Sequence, residues 1–174
     1  MSSAFLKNET ADAPVVIPAR APLPPGTPNY VTPKGLDLLR TELVHLESQR
    51  AQQQTDQVDD QNERSRQLAL VNGCIAQLNQ RIASAKVVDT QEQDQVRFGA
   101  TVGLTVQTGT SAGTERHFTI VGVDQANATQ GLIAFTAPLA RALQGKRIGE
   151  TLFWPSPQGQ QVMKLLSIKY EMTL

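Results

Sequence analysis

The stretch TDQVDDQNERSR, residues 55–66, places Asp56, Asp59, Asp60 and Glu63 within eight positions and contains one aliphatic side chain, Val58. Carboxylates so spaced have two uses. At the start of a helix Asp60 caps free backbone N–H groups, and Glu63, three residues on, completes a capping-box-like arrangement, favoured by the positive end of the helix dipole. Alternatively, Asp60 and Glu63 share one face of the first helical turn, so both can approach a single hard divalent cation. Mg²⁺ is usually held by one or two protein carboxylates together with waters and phosphate oxygens, so an exposed pair binds it weakly alone. It becomes a site only when a second protein supplies the remaining ligands.

The elements that must position these carboxylates flank them. Leu36, Leu39, Leu43 and Leu46 are spaced by three and four residues, and Leu68, Val71, Ile75, Leu78, Ile82 and Ala85 continue the same rhythm. Both runs are coiled-coil seams. Folded antiparallel, they pair Leu36 with Ala85, Leu39 with Ile82, Leu43 with Leu78, Leu46 with Ile75, Arg50 with Val71 and Gln53 with Leu68. The centre of that register lies between Asp60 and Gln61, so the seam predicts a hairpin with the acidic stretch at its tip. Leu36 then lies roughly 36 Å from the turn, at about 1.5 Å per residue. Arg50, Gln53 and Gln57 make the outer seam polar, so the tip gains little from burial and is expected to be the most mobile part.

Other chemistry is sparse. The single cysteine, Cys74, excludes an intramolecular disulfide and sits beside seam residue Ile75, a packing position. His45 and His117 have no acid or nucleophile at a motif spacing. Gly99, Gly103 and Gly122 do not make a phosphate-cradling motif and read as bulges or close-approach sites in strands. Lys146 and Arg147, with Arg141, form a small basic spot that reads as a solvated face. Sixteen basic residues balance sixteen acidic ones, so nothing global argues for nucleic acid or an anionic membrane surface. The sequence has no signal peptide and no run approaching a membrane span, which leads to the expectation of a soluble cytoplasmic protein.

Three regions follow. Residues 1–29 contain ADAPVVIPARAPLPPGTPN, whose prolines favour extended backbone, and are expected to be a flexible arm. Residues 30–89 form the coiled-coil finger. Residues 90–174 hold five strand-like runs, VRFGATVGLTVQ, ERHFTIVGVDQ, GLIAFT, ETLFWP and QQVMKLLSIKY, separated by turn-forming TGTSAGT, QANATQ and SPQGQ. Between the third and fourth, TAPLARALQG predicts a short helix with Thr136 as N-cap and Gly145 just past its end. The class is α+β: an antiparallel coiled-coil hairpin, then a small antiparallel β domain with one short helix.

YVTPKGLDLLRTEL, a hairpin ending in VVD, then VRFGATV, FTIVGVDQAN and especially APLARALQGKRIGE, with a last strand ending in Tyr170 and Glu171, resemble the bacterial GreA/GreB family of transcript cleavage factors. The resemblance covers residues 30–174 and implies that the C-terminal domain is FKBP-like without prolyl isomerase activity. It also implies a partner, bacterial RNA polymerase. The C-terminal domain would dock at the rim of the secondary channel, through the region of Ala137, Pro138, Leu139 and Arg141, while the finger enters the channel. RNA and DNA would be met only within the elongation complex. The protein itself would be a monomer and an accessory factor, not an enzyme.

By the same resemblance, Asp60 and Glu63 correspond to the catalytic acidic pair, with Asp59 as an additional or substitute ligand. Together they would help hold an Mg²⁺ shared with the polymerase and not bound stably without it, so that the polymerase cleaves backtracked RNA. Two features depart from the family: Arg64 stands where asparagine is usual, and the finger is shorter by one to two helical turns per arm, roughly 10 Å. They point to an alternative of the regulatory kind. Like the short-fingered regulators of nucleoside diphosphate kinase, such a factor would occupy the channel and compete with cleavage factors without stimulating cleavage.

Overall fold

The structure, a computed structural model, describes residues 14–55, 60–89 and 91–171. Contacts divide it into two units, one from the described parts of Met1–Arg20 and Leu39–Ala83, the other from Ala21–Leu38 and the described parts of Ser84–Leu174.

The hairpin is built from α1 (Pro33–Thr55) and α2 (Gln61–Ser84). At the start of α1 the Oγ1 of Thr32 accepts the N–H of Gly35 at 2.9 Å, and Pro33 occupies the first helical position, where no N–H is needed. Burial follows the seam. Leu39, Val71, Ile75 and Leu78 are buried, whereas Leu43, Leu46, Leu68 and Ile82, with the polar Arg50 and Gln53, are half-buried. Because α1 ends at Thr55 and α2 begins at Gln61, the reversal falls inside the acidic stretch, as the seam requires.

Residues 14–20, assigned from sequence to a flexible arm, lie against this hairpin. Val15 and Ile17 are half-buried while Pro14, Val16 and Pro18 are exposed, the two-residue alternation of an extended chain with one face covered. Ile17 occupies the space that a side chain at Gly73 would fill: a Cβ built there would lie 1.9 Å from Ile17 Cδ1. Three residues on, both terminal nitrogens of Arg20 donate to the two carboxylate oxygens of Glu42, at 2.8 and 3.0 Å. The partners are 19% and 42% exposed, so the ion pair contributes at most about 1 kcal/mol and the aliphatic contact matters as much.

In the other unit, β1 (Asn29–Val31) and β2 (Ala85–Val87) form a two-stranded parallel sheet. Three-residue strands are too short to display a period, so neither was expected. The main sheet has the order β5-β4-β3-β7-β6, from β3 (Ala100–Val106), β4 (Glu115–Val121), β5 (Leu132–Ala134), β6 (Thr151–Ser156) and β7 (Gly159–Tyr170). All five expected runs are strands, although the first starts only at Ala100, after a turn at Phe98 and Gly99. Pairing is antiparallel except between β4 and β5, which run parallel. Their connection includes a single 3₁₀ turn capped by Asn127 and closed by Gly131.

The alternation of β3 shows why this strand is central. Ala100, Val102, Leu104 and Val106 enter the core, while Thr101 on the other face meets Thr119 of β4 hydroxyl to hydroxyl at 2.9 Å. The register with β7 shifts between Gly103 and Leu104, a bulge where a Cβ on residue 103 would come within 2.5 Å of Ser167 Oγ. Gly122 is a close-approach site, since a Cβ there would lie 2.6 Å from the carbonyl oxygen of Tyr30.

The short helix α3 (Pro138–Leu143) buries Ala140 and Leu143 against the sheet core. Its N-cap is Ala137, with no side-chain cap, and not Thr136 as expected. Pro138 at the first helical position lacks one of the N–H groups that a helix start leaves open, and Gly145 with φ +78° follows the helix end as foreseen.

Candidate functional site

Of the carboxylates singled out by spacing, Asp60 and Glu63 lie at the start of α2, and Asp60 is the last residue before it. Its Oδ1 accepts the N–H of Asn62 at 2.9 Å and of Glu63 at 3.3 Å, so one carboxylate oxygen is committed to capping. Glu63 lies three residues on, in the first turn, and its Oε1 accepts Gln67 Nε2 at 3.0 Å. Both carboxylates are exposed. Both also gain from the positive end of the α2 dipole. Asp56 and Asp59 fall outside the described residues.

Arg64, read from sequence only as a departure, has a definite role in this geometry. Its Nε donates to the carbonyl oxygen of Gln53 at 3.1 Å, and its Nη2 donates to that of Gln54. These carbonyls belong to the last turn of α1, where helical oxygens lack intrahelical partners and the dipole favours a cation. One guanidinium on α2 thus closes the C-terminus of α1 across the turn. The sequence held a signal for it, a cation one residue after Glu63 facing the end of the other arm, but only the register makes that visible.

Among the described residues no three His, Cys, Asp or Glu side chains are grouped to hold a metal. The tip therefore offers a carboxylate pair with spare oxygens. Carboxylate oxygens are the donor type of a hard cation such as Mg²⁺, which takes its remaining ligands from waters and phosphates.

The second candidate surface surrounds α3. Pro138 and Arg141 are exposed, whereas Ala137 and Leu139 are half-buried and packed against the core. Nearby, Arg147 pairs with Asp94 at 3.5 Å, both well exposed, which agrees with a solvated basic face. His117 is an exposed residue of β4 and His45 an exposed residue of α1. Cys74 is half-buried beside Ile75, in keeping with a packing role.

At the end of the domain Tyr170 ties β7 to the strand entry. Its hydroxyl donates to the carbonyl of Gln95 at 2.5 Å and accepts the N–H of Arg97 at 3.0 Å. Burial raises its pKa above the usual 10.0, against the smaller lowering effects of the Arg97 N–H and guanidinium.

A long antiparallel helical hairpin with an acidic, capped tip, followed in sequence by a curled β domain with one short helix, defines the α+β class expected of finger-bearing transcription factors. Residues 91–170 match the family described as "Transcription elongation factor, GreA/GreB, C-term". Transcription elongation factor GreB of Neisseria meningitidis is 32% identical over 159 residues, covering 83% of this chain and 95% of its own. Transcription elongation factor GreA of Acidiphilium cryptum is 34% identical over 155 residues, covering 80% and 96%. Among solved structures, the GreA/GreB factor of Nitrosomonas europaea aligns over 81% of this chain and 97% of its own, with 22% identity and a TM-score of 0.41. The chain belongs to the GreA/GreB family of transcription elongation factors.

Proposed function

We propose that the protein is an accessory factor of bacterial RNA polymerase that enters the secondary channel with its hairpin and promotes cleavage of backtracked transcripts by the polymerase. The observation that carries this reading is the pair Asp60 and Glu63, both exposed at the start of α2 at the end of the hairpin, each with one oxygen engaged and, among the described residues, one left over. Asp59 adjoins them in sequence. An Mg²⁺ shared with the polymerase would be met by these carboxylates, and it would supply charge neutralisation at the scissile phosphate and a lowered pKa for the attacking water. The chain's own part is to carry negative charge there on a helix terminus, oriented by capping. Ala137, Pro138, Leu139 and Arg141 form the docking surface at the channel rim in this reading, with Pro138 and Arg141 the exposed contacts.

The test is cleavage in stalled, backtracked complexes by the intact protein, Asp60→Asn and Glu63→Gln. Loss of stimulation in both variants, with polymerase binding retained, supports the reading. Equal cleavage by all three sinks it.

A second reading keeps the channel and drops the chemistry. It is favoured by the use of Asp60 as a cap and by the guanidinium of Arg64 next to the pair in sequence, which reduces the net negative charge offered by the tip. A factor of this kind would suppress cleavage induced by an authentic cleavage factor, equally with or without Asp60 and Glu63.

A further inference from the structure

Gly73 lies in the interior of α2, where glycine is the least favourable residue after proline, and the seam does not require it. What it permits is the approach of Ile17: a Cβ at 73 would come 1.9 Å from Ile17 Cδ1 and 2.7 Å from Cγ1. The same short segment reaches the other arm, where Arg20 makes its two-pronged contact with Glu42 of α1. Three residues of extended chain cover about 10 Å, so one segment touches both helices. Gly73 is also two residues from Val71, the last buried seam residue before the seam turns to half-buried Leu68 and polar Arg50 and Gln53.

We propose that residues 14–20 are an intramolecular clamp on the finger. The flank of the hairpin is a groove for an extended segment with an aliphatic residue, a second aliphatic two positions on and an arginine three beyond that, filled here by Val15, Ile17 and Arg20 of the same chain. Gly73 is the notch for the second aliphatic and Glu42 the anchor for the arginine. Occupancy ties α1 to α2 alongside the buried seam residues Val71, Ile75 and Leu78. Pro14 and Pro18 sit on the exposed positions of the segment and restrict it to extended backbone, so the free arm loses less conformational freedom on docking. The clamp does not depend on what the finger tip does.

Limited trypsinolysis of the full-length protein tests this, because the bond after Arg20 is cleaved only when the arginine leaves Glu42. Glu42→Gln should speed cleavage at Arg20–Ala21 about fivefold, and added salt should speed it in the wild type but not in that variant. Gly73→Leu introduces a good helix former while filling the notch, and should speed the same cleavage by about tenfold or more, since proteolysis follows the open population. Circular dichroism of both variants should show undiminished helix content. The clamp is overturned if neither substitution changes the cleavage rate, or if the wild-type bond is cut as fast as in a free peptide of residues 12–26.

Discussion

The guanidinium of Arg64, in the first turn of α2, donates to the carbonyl of Gln53, in the last turn of α1, at 3.1 Å. A helix start and a helix end are thereby tied by a side chain that satisfies groups the backbone leaves open. Replacing Arg64 by methionine retains the stem and removes the donors. The expected result is faster amide hydrogen exchange in residues 50–55 and a loss of about 1 kcal/mol in the stability of the tip, with exchange in the β domain unchanged. Unchanged exchange at the end of α1 would show that the contact has no energetic weight.

Asp60 has two separable properties, an oxygen that caps α2 and a negative charge. Asp60→Asn preserves the acceptor and removes the charge, so helix stability should be nearly unaltered, whereas Asp60→Ala should cost about 1 kcal/mol. Thermal unfolding followed by circular dichroism distinguishes them. If transcript cleavage depends on charge, both variants lose it to the same extent despite their different stabilities. If it depends only on an ordered tip, asparagine restores it.

Tyr170 should make the domain sensitive to alkaline pH. Its folded-state pKa is raised above 10.0, chiefly by burial, so the native state prefers the protonated phenol. The stabilising contribution is complete below the unfolded value of 10.0 and declines as pH rises from there through the folded pKa. Tyr170→Phe should remove that alkaline decline and, through the lost hydrogen bonds to Gln95 and Arg97, lower stability near neutral pH by about 1 kcal/mol. Denaturant unfolding at several pH values reads both effects.

Gly122 faces the backbone of β1, not a side chain that could swing aside. Gly122→Ala would put a Cβ 2.6 Å from the Tyr30 carbonyl oxygen, forcing β1 to shift, and should destabilise by about 1–3 kcal/mol. The edge-on packing of Tyr30 with Phe135, at 5.6 Å between ring centres, would be disturbed as well. Fluorescence or ring-proton shifts of Tyr30 should therefore change with the melting temperature. A stable protein with an unshifted Tyr30 would contradict the close approach.

Much of this protein was legible because its long elements are periodic. The spacing of Leu36, Leu39, Leu43 and Leu46, and of Leu68, Val71, Ile75, Leu78 and Ile82, implied two helices, and their antiparallel register located the reversal in the acidic stretch between Thr55 and Gln61. The five strands of the β domain were likewise readable from alternation and turn residues, and of the three glycines read as bulges or close-approach sites Gly103 and Gly122 are such, whereas Gly99 lies in the turn before β3 with φ +84°. Helical and strand periods are local properties, set by backbone geometry within a few residues, so a sequence displays them directly.

Tertiary structure decided the contacts between distant residues. Only folding brings Arg64 to the end of α1, Ile17 into the notch at Gly73, Arg20 to Glu42, and β1 beside β2. The same holds for the parallel pairing of β4 with β5, and for Ala137 in the cap position that Thr136 was expected to fill. Such choices depend on which groups arrive in space with unsatisfied hydrogen bonds or uncovered apolar surface, a property of the packed chain that no local spacing encodes.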